Sequence, residues 1–583
     1  MKLKIKLFLF ALVILFLFSS MFKAFNNEEI NHVKFNEENP DQIEVSGFWN
    51  LTGSPIFIDD SDPDYNWSKT AAQNDWCSGS GTWIAPYIIE NVTIDSQDSG
   101  SCIDIQNSNA YFIIQNCSLF NSSSSLGDGI TLNNVTNGKI IDNYCYTFEY
   151  GISLYESDNN TISGNIANNN NNHGIYLWYS DSNTVSGNTA SYNFERGISL
   201  YYSDNNTISG NTVRYNYDYG IYLFGSNNNT VSGNTANHNY KYGIRIFYSD
   251  NNIFLGNTLD SWNGNGMMLY YSDNNTISGN SAYITHNFGI VLSHSNNNTI
   301  SGNSASSNDN HGIYLSGSDN NTLSGNTASY NSESGIYIYE SSKNMVSGNI
   351  FNNNDQSGIY LSSSNNTIVL GNTVSHSSES GIHIFKCNNN TVSGNNAINN
   401  TLNGIYLSSS NNIIVSGNNF TYNYRSGIVF EKSNNITISG NIASNNFLGM
   451  EISVSDDNTI SGNIISNNHF FGIFLNFSNN TIIFLNIFTN NSQNAYDSGT
   501  NNMWDNGSIG NYWDDYQGVD ANNDGIGDTP YLIPGPAGSQ DNFPIWNDEV
   551  NQPSIPFGNL YLLFTIVAIL SLIIVEKKRK NVM

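Results

Sequence analysis

The segment Asp520-Ala521-Asn522-Asn523-Asp524-Gly525-Ile526-Gly527-Asp528 alternates oxygen-bearing side chains and places a glycine sixth. That is the spacing by which a loop wraps a hard cation. Asp520, Asn522 and Asp524 offer side-chain oxygens at positions 1, 3 and 5, Ile526 a backbone carbonyl at 7, and Asp528 a carboxylate at 9. Position 12 is Tyr531 rather than a bidentate glutamate, which excludes the helix–loop–helix version. Asp515 or Asp541 is left to complete a calcium shell. The competing reading is a turn-rich cap whose Asp and Asn side chains bond only their own backbone.

A second chemistry is aromatic. Trp178-Tyr179, Tyr201-Tyr202, Phe224, Phe247-Tyr248 and Tyr270-Tyr271 recur at one offset in five consecutive stretches, with Tyr176 and Tyr222 just before them and Tyr192, Phe194, Tyr215 and Tyr217 nearby. Flat rings beside polar groups suit a sugar ring or another protein surface. Rings recurring at one place in a repeat also stack on one another, a purely structural use. Bordering this tract, Glu195 and Asp218 share an offset and offer a pair of carboxylates for glycoside chemistry. Lys241 and Arg425 occupy the same offset, so a solvated edge is the simpler reading and catalysis is not expected.

Copper sites group His, Cys or Met in space. The nine histidines, among them His173, His238, His294, His383 and His469, fall at different places in the pattern, with His286 and His311 the nearest approach. Copper is therefore not expected. Of five cysteines, Cys77 and Cys102 are expected to form a disulfide pinning the N-terminal cap, Cys145 to face inward, and Cys117 to face outward.

These residues are carried by a repeat. A glycine, usually followed by Ile, recurs from Gly129 through Gly174, Gly197, Gly220 and Gly243 to Gly472, at a spacing of 23 residues with 22 at two steps. Fourteen residues after each glycine stands an Asn, as at Asn188, Asn211, Asn303 and Asn486. Short alternating apolar runs separated by Asn, Ser and Gly mark strands joined by turns that tolerate positive φ. Helical solenoids are excluded, since their repeats of about 34–47 residues need helix formers. Three short strands per period predict a parallel β-helix of sixteen coils. Ile at +1, Leu at +3, Ile or Val at +11 and Ala or Val at +16 are expected to face the core. The Asn at +14 is expected to form a ladder from coil to coil. Asn makes up about a sixth to a fifth of the chain, several times ordinary usage, and this pattern accounts for it.

The termini differ from the middle. Lys2, Lys4 and Lys6 precede the apolar run Leu7–Phe18, which reads as a secretory signal over residues 1–24, cleaved or retained as an anchor. The apolar run Leu560–Val575, within an expected span at 557–576, is followed by Lys577, Lys578, Arg579 and Lys580, the pattern of a single membrane span with a basic cytoplasmic tail. Between the basic clusters Lys2–Lys6 and Lys577–Lys580, with Glu576 counted with the second, lie 12 basic and 47 acidic residues, a net −35 against −29 for the whole chain. So acidic an exterior excludes nucleic acid as a partner, whose binding rests on Lys and Arg at phosphates. The expected layout is an N-terminal cap segment at 25–99, repeats at 100–492, a C-terminal cap at 493–546, a linker at 547–556, the span, and the tail at 577–583. The expected location is the cell membrane, with the β-helix extracellular.

The block Gly510-Asn-Tyr-Trp-Asp-Asp-Tyr-Gln-Gly518 running through Asp524-Gly-Ile-Gly-Asp528 to Pro530-Tyr531, together with Trp76–Asp95, resembles archaeal surface proteins of the NosD-like right-handed β-helix family. That family overlaps the carbohydrate-binding and sugar-hydrolase (CASH) repeats, and the similarity covers about residues 46–546. The resemblance implies an all-β solenoid and, by the family's name, periplasmic copper handling. The reading favoured by the residues is an extracellular rod that binds a surface glycan or another surface protein, or serves cell-surface architecture. A polysaccharide lyase or glycoside hydrolase stands second and copper maturation third.

Overall fold

The computed structural model describes residues 48–121 and 127–546. They form an all-β parallel solenoid of about 18 turns, roughly 23 residues each. One typical turn runs through the strand His173–Trp178, a corner, the strand Thr184–Ser186, a second corner, and a third side held by single bridges such as Ile166 to Thr189 and Thr189 to Thr212. Each strand pairs in parallel with its equivalent one coil on: Ile175 faces Ile198 and Leu177 faces Leu200, while Val185 faces Ile208. Sheet 1 extends from Ile56–Asp59 to Gln493–Asp497, and sheet 2 from Tyr87–Glu90 to Ile482–Phe484. The expected inward residues fill the core, with Ile175, Leu177, Val185 and Ala190 all fully buried.

The corners are where polar groups would be orphaned, and each is closed by a column of side chains. At +14, Asn188 N and Nδ2 both donate to Asn211 Oδ1 at 2.9 and 3.0 Å, and Asn188 Nδ2 also donates to Ile162 O at 2.9 Å. Two further asparagine columns repeat this logic, through Asn183 and Asn206 and through Asn193 and Asn216. A serine column adds a fourth, with Ser180 N donating to Ser203 Oγ at 3.0 Å. Buried amide groups satisfied in this way avoid the desolvation cost of an unpaired donor. The repeat's glycine serves a steric need. A Cβ on Gly312 would fall 2.6 Å from Ala305 O and 2.7 Å from both Ala328 Cβ and Gly335 O.

Several expectations are corrected. Coil stacking begins at Trp49, which pairs with Val92, within the segment expected as the N-terminal segment and entry cap, because the first coils carry inward Ile and Val without the glycine signature. All five cysteines are free and buried, so Cys77 and Cys102 do not form a disulfide. Cys77 lies on the strand paired with sheet 2, whereas Cys102 immediately precedes a strand of sheet 1. Cys117 faces inward rather than outward; its N–H donates to Asn143 Oδ1 at 3.0 Å, the bond an asparagine makes lower in the column. No helix among the described residues is long and apolar enough to cross a membrane. The expected signal and the expected span at 557–576 lie outside the described residues.

Candidate functional site

From residue 150 to 247 the strands of sheet 1 are six residues long, as in Tyr150–Tyr155, Arg196–Tyr201 and Tyr242–Phe247. Elsewhere they often shorten to four, as in Ile313–Ser316. The longer strands present extra outward side chains. Tyr150 stacks on Tyr176 at 4.8 Å, and Tyr201 and Tyr222 meet edge to face at 5.5 Å. Two arginines thread this surface. Arg196 lies over the Tyr222 ring at 4.4 Å and donates to Tyr201 Oη; Arg245 lies over Tyr219 at 5.1 Å and donates to its hydroxyl at 2.6 Å. Cation–π contacts of this kind fix the rings in place. Sequence reasoning missed both arginines. The available signal was their concentration, with Arg214 and Lys241, within about two coils of a chain poor in basic residues.

Burial raises the Tyr176 and Tyr222 hydroxyls to about 12, so both stay protonated. His173 is pushed down to about 3, first by burial and second by the positive charge of Arg196. It is therefore a neutral ring packed against Tyr150 and Tyr176.

The nine aromatic residues expected at this surface divide into two sets. Trp178, Tyr201, Phe224, Phe247 and Tyr270 are half-buried on the sheet face. Tyr179, Tyr202, Tyr248 and Tyr271 project from the following corner and are exposed. Both sets stack along the axis: Phe247 on Tyr270 at 5.2 Å, Tyr179 on Tyr202 at 5.1 Å, and Tyr248 on Tyr271 at 5.4 Å. On the opposite corner, Phe194, Tyr217 and Tyr240 form a third stack, with 5.5 and 5.2 Å between rings.

Glu195 and Asp218 do stand on adjacent coils, joined by Asp218 N donating to Glu195 O at 2.7 Å. Each carboxylate has its own partner. Asp218 is ion-paired to Lys241 at 2.6 Å. Glu195 lies 3.8 Å from His173 and accepts from the Asn172 amide at 2.9 Å in the orientation that satisfies both groups.

In the C-terminal cap the loop oxygens turn toward their own backbone. Asp520 accepts from the N–H of Asp524 and Gly525, Asn522 from that of Asp524, Asp524 from that of Ile526, and Asp528 from that of Ala521. Neither expected extra ligand is spent there. Asp515 accepts from Tyr531 Oη at 3.0 Å and Asn494 Nδ2 at 2.9 Å. Asp541 is buried at the foot of the +14 column, accepting from Asn511 N at 2.7 Å, Trp513 Nε1 at 2.9 Å and Phe543 N at 3.0 Å. Among the described residues, no three His, Cys, Asp or Glu side chains are grouped to hold a metal.

The same holds for copper. His286 faces Asp309 at 2.9 Å and His311 faces Glu333 at 3.0 Å, each turned to its own carboxylate. Burial raises the Cys77, Cys102 and Cys117 thiols to about 12, away from the thiolate that binds metal. Among the described residues, these side chains are not gathered into a set that could hold copper.

A concave feature lies apart from the tract. An open cleft of about 510 Å³ is lined by Asp60, Asn66, Trp83, Tyr87, Asn109 and Tyr111 among others. Its wall is the hairpin carrying Trp83, 70% exposed.

The family model described as "Periplasmic copper-binding protein (NosD)" matches residues 71–240 and 352–518, and that described as "Right handed beta helix region" matches 225–374. No curated protein matches the sequence. Solved structures are similar at low identity and low TM-score. The periplasmic alginate epimerase AlgG is 13% identical, with 73% of this chain and 82% of that chain covered and a TM-score of 0.26. The Dettilon tailspike protein is 14% identical over 53% of this chain and 60% of that one, TM-score 0.33. The catalytic domain of a GH87 α-1,3-glucanase is 11% identical over 52% and 65%, TM-score 0.25.

Proposed function

The chain belongs to the family described as periplasmic copper-binding protein (NosD), and from that premise we propose that it is a non-catalytic β-solenoid that binds a surface glycan through its aromatic tract. The observation that carries this reading is the row of exposed rings Tyr179, Tyr202, Tyr248 and Tyr271, backed by half-buried Trp178, Tyr201, Phe224, Phe247 and Tyr270. An exposed aromatic band on an otherwise Asn- and Ser-rich surface suits the apolar face and hydroxyl rim of sugars. Glu195 and Asp218, each held by a partner, lend little support to hydrolysis. The apolar segment at 557–576 with its basic tail supports a cell-surface location with the solenoid outside. As a separate adjunct we propose a calcium ion on the exposed loop Asp520–Asp528, supported by its D-x-N-x-D-G spacing. Titration with calcium after chelation should give saturable heat that Asp524→Ala removes, and absence of heat would end that adjunct.

The test of the main reading is a glycan-array screen of the purified protein beside a variant with Trp178, Tyr202 and Tyr248 all changed to Ala. Capture by the native chain and its loss in a variant that keeps its β-sheet circular dichroism is the expected result. Capture that survives while the melting temperature drops would show the rings to be only a stacking ladder.

A further inference from the structure

The corner column of rings has one missing member. At the fifth residue after each glycine the backbone turns through positive φ, 46° at Tyr179, 48° at Tyr202, 50° at Tyr248, 47° at Tyr271 and 49° at His294, which throws each side chain outward. Rings stack within the column on either side of one coil: Tyr179 with Tyr202 above it, and Tyr248 with Tyr271 and His294 (4.8 Å) below. That coil carries Gly225, at φ 57°.

Tyr202 and Tyr248 are thus two coils apart, about 9.6 Å, where neighbours stack at one-coil spacing. Tyr202 leans over the glycine: a Cβ at position 225 would fall 2.8 Å from its ring. Tyr248, 52% exposed, is stacked on Tyr271 and meets Phe247 of its own coil edge-on at 4.4 Å, while from the coil of Gly225 it meets the edge-on ring of Phe224 at 6.4 Å. Phe224 also meets Tyr202 edge-on at 5.3 Å and so floors the gap.

Polar groups lie beside it. Two residues further along each coil run Asp204, Asn227 and Asp250. Asn227 N donates to Asp204 Oδ1 at 2.6 Å and Asp250 N to Asn227 Oδ1 at 2.8 Å. The second oxygen of Asp204 and the amide hydrogens of Asn227 remain for a ligand's hydroxyls.

We propose that the gap at Gly225 is a slot for one neutral pyranose ring, stacked on the uncovered face of Tyr248 and bounded by Tyr202, with its hydroxyls on Asp204 and Asn227. This rests on the glycan-binding reading above and narrows it to a place and a sugar class. Asp204 and Asp250, on an exterior of net −35, disfavour uronic or sulphated sugars.

The test is Gly225→Tyr. Four neighbouring coils already place Tyr at this position with φ near 46–50°, so the backbone accepts it; the Tyr202 ring, 2.8 Å from the new Cβ, must swing back, and the added ring then completes the column. The full-length protein is titrated with neutral oligosaccharides (maltooligosaccharide, mannan and galactan fragments) and with oligogalacturonate as the acidic probe. Native protein binds a neutral probe. Gly225→Tyr keeps its β-sheet circular dichroism and loses that binding by about tenfold, as expected for removing one ring contact. Tyr248→Ala, which empties the slot's wall instead of filling the slot, loses it likewise.

Unchanged affinity in Gly225→Tyr defeats the slot and leaves glycan binding elsewhere on the tract intact. Binding of oligogalacturonate alone defeats the sugar class. Binding of no glycan by the native chain defeats both the slot and the reading it rests on.

Discussion

Asn303 sits in the middle of the +14 column, 1% exposed, and its side chain makes four bonds. Its Oδ1 accepts from Asn280 N at 2.9 Å and Asn280 Nδ2 at 3.0 Å; its Nδ2 donates to Ile277 O at 2.9 Å and Asn326 Oδ1 at 3.0 Å. Asn303→Ala leaves the backbone N–H of Asn280 buried without an acceptor, a penalty of about 1–3 kcal/mol, and removes three further bonds worth about 0.5–1.5 kcal/mol each. The expected loss is on the order of 3–6 kcal/mol. In a solenoid each coil contacts chiefly its neighbours, so the loss is local rather than shared along the stack. Amide hydrogen exchange read by mass spectrometry is the assay. Peptides spanning residues 277–326 should lose about 100- to 10,000-fold of their protection, while those near Asn441 keep theirs. Asn303→Asp supplies a second arm, because it retains both acceptor bonds but cannot donate to Ile277 O and buries a charge. Protection within tenfold of native in Asn303→Ala would refute the reasoning, showing that strand stacking alone holds the corner and the asparagines merely fill it.

Three other outcomes follow from packing and charge. Gly312→Ala, at a glycine without positive φ, should cost about 1–3 kcal/mol by overpacking against Ala305 O and Gly335 O, measured as a fall in urea midpoint for the local unfolding unit. His383, between the rings of Tyr360 at 4.5 Å and Tyr406 at 4.9 Å, is pushed down from 6.5 to about 4 by burial. The unfolded chain therefore binds a proton there that the folded chain refuses. This contribution is complete above pH 6.5 and is lost as pH falls toward 4, by about 3 kcal/mol at most; His383→Phe should shift the acid-unfolding midpoint of these coils to lower pH. Asp541→Ala strands the donors of Asn511, Trp513 and Phe543, and should fray the C-terminal coils, seen as protease cleavage near residues 486–513 with the N-terminal coils intact.

The repeat made most of the core legible. A side chain's direction in a strand follows its parity, and a period of 23 returns each residue to the same wall, so Ile175, Leu177, Val185 and Ala190 were assigned inward by position alone. The +14 column was legible for the same reason. The first coils were not: the segment from Trp49 to Asp95 stacks without repeating the glycine pattern, so the separate walls of Cys77 and Cys102 are not readable from the repeat. Asp541 reads in the sequence as a candidate cation ligand reaching in from another part of the cap, yet it closes a column whose last asparagine is Asn511.

The sequence by itself determined the coil, its inward residues and its asparagine corners, since these depend on short-range alternation repeated many times. Only the tertiary structure decided what meets what between coils: that Arg196 lies over Tyr222, that Asp218 belongs to Lys241, that Cys77 and Cys102 stand on different walls, and that Gly225 leaves Tyr248 with an uncovered face. Those contacts join residues a full turn or more apart, and the turn's path in space decides which of them come within reach.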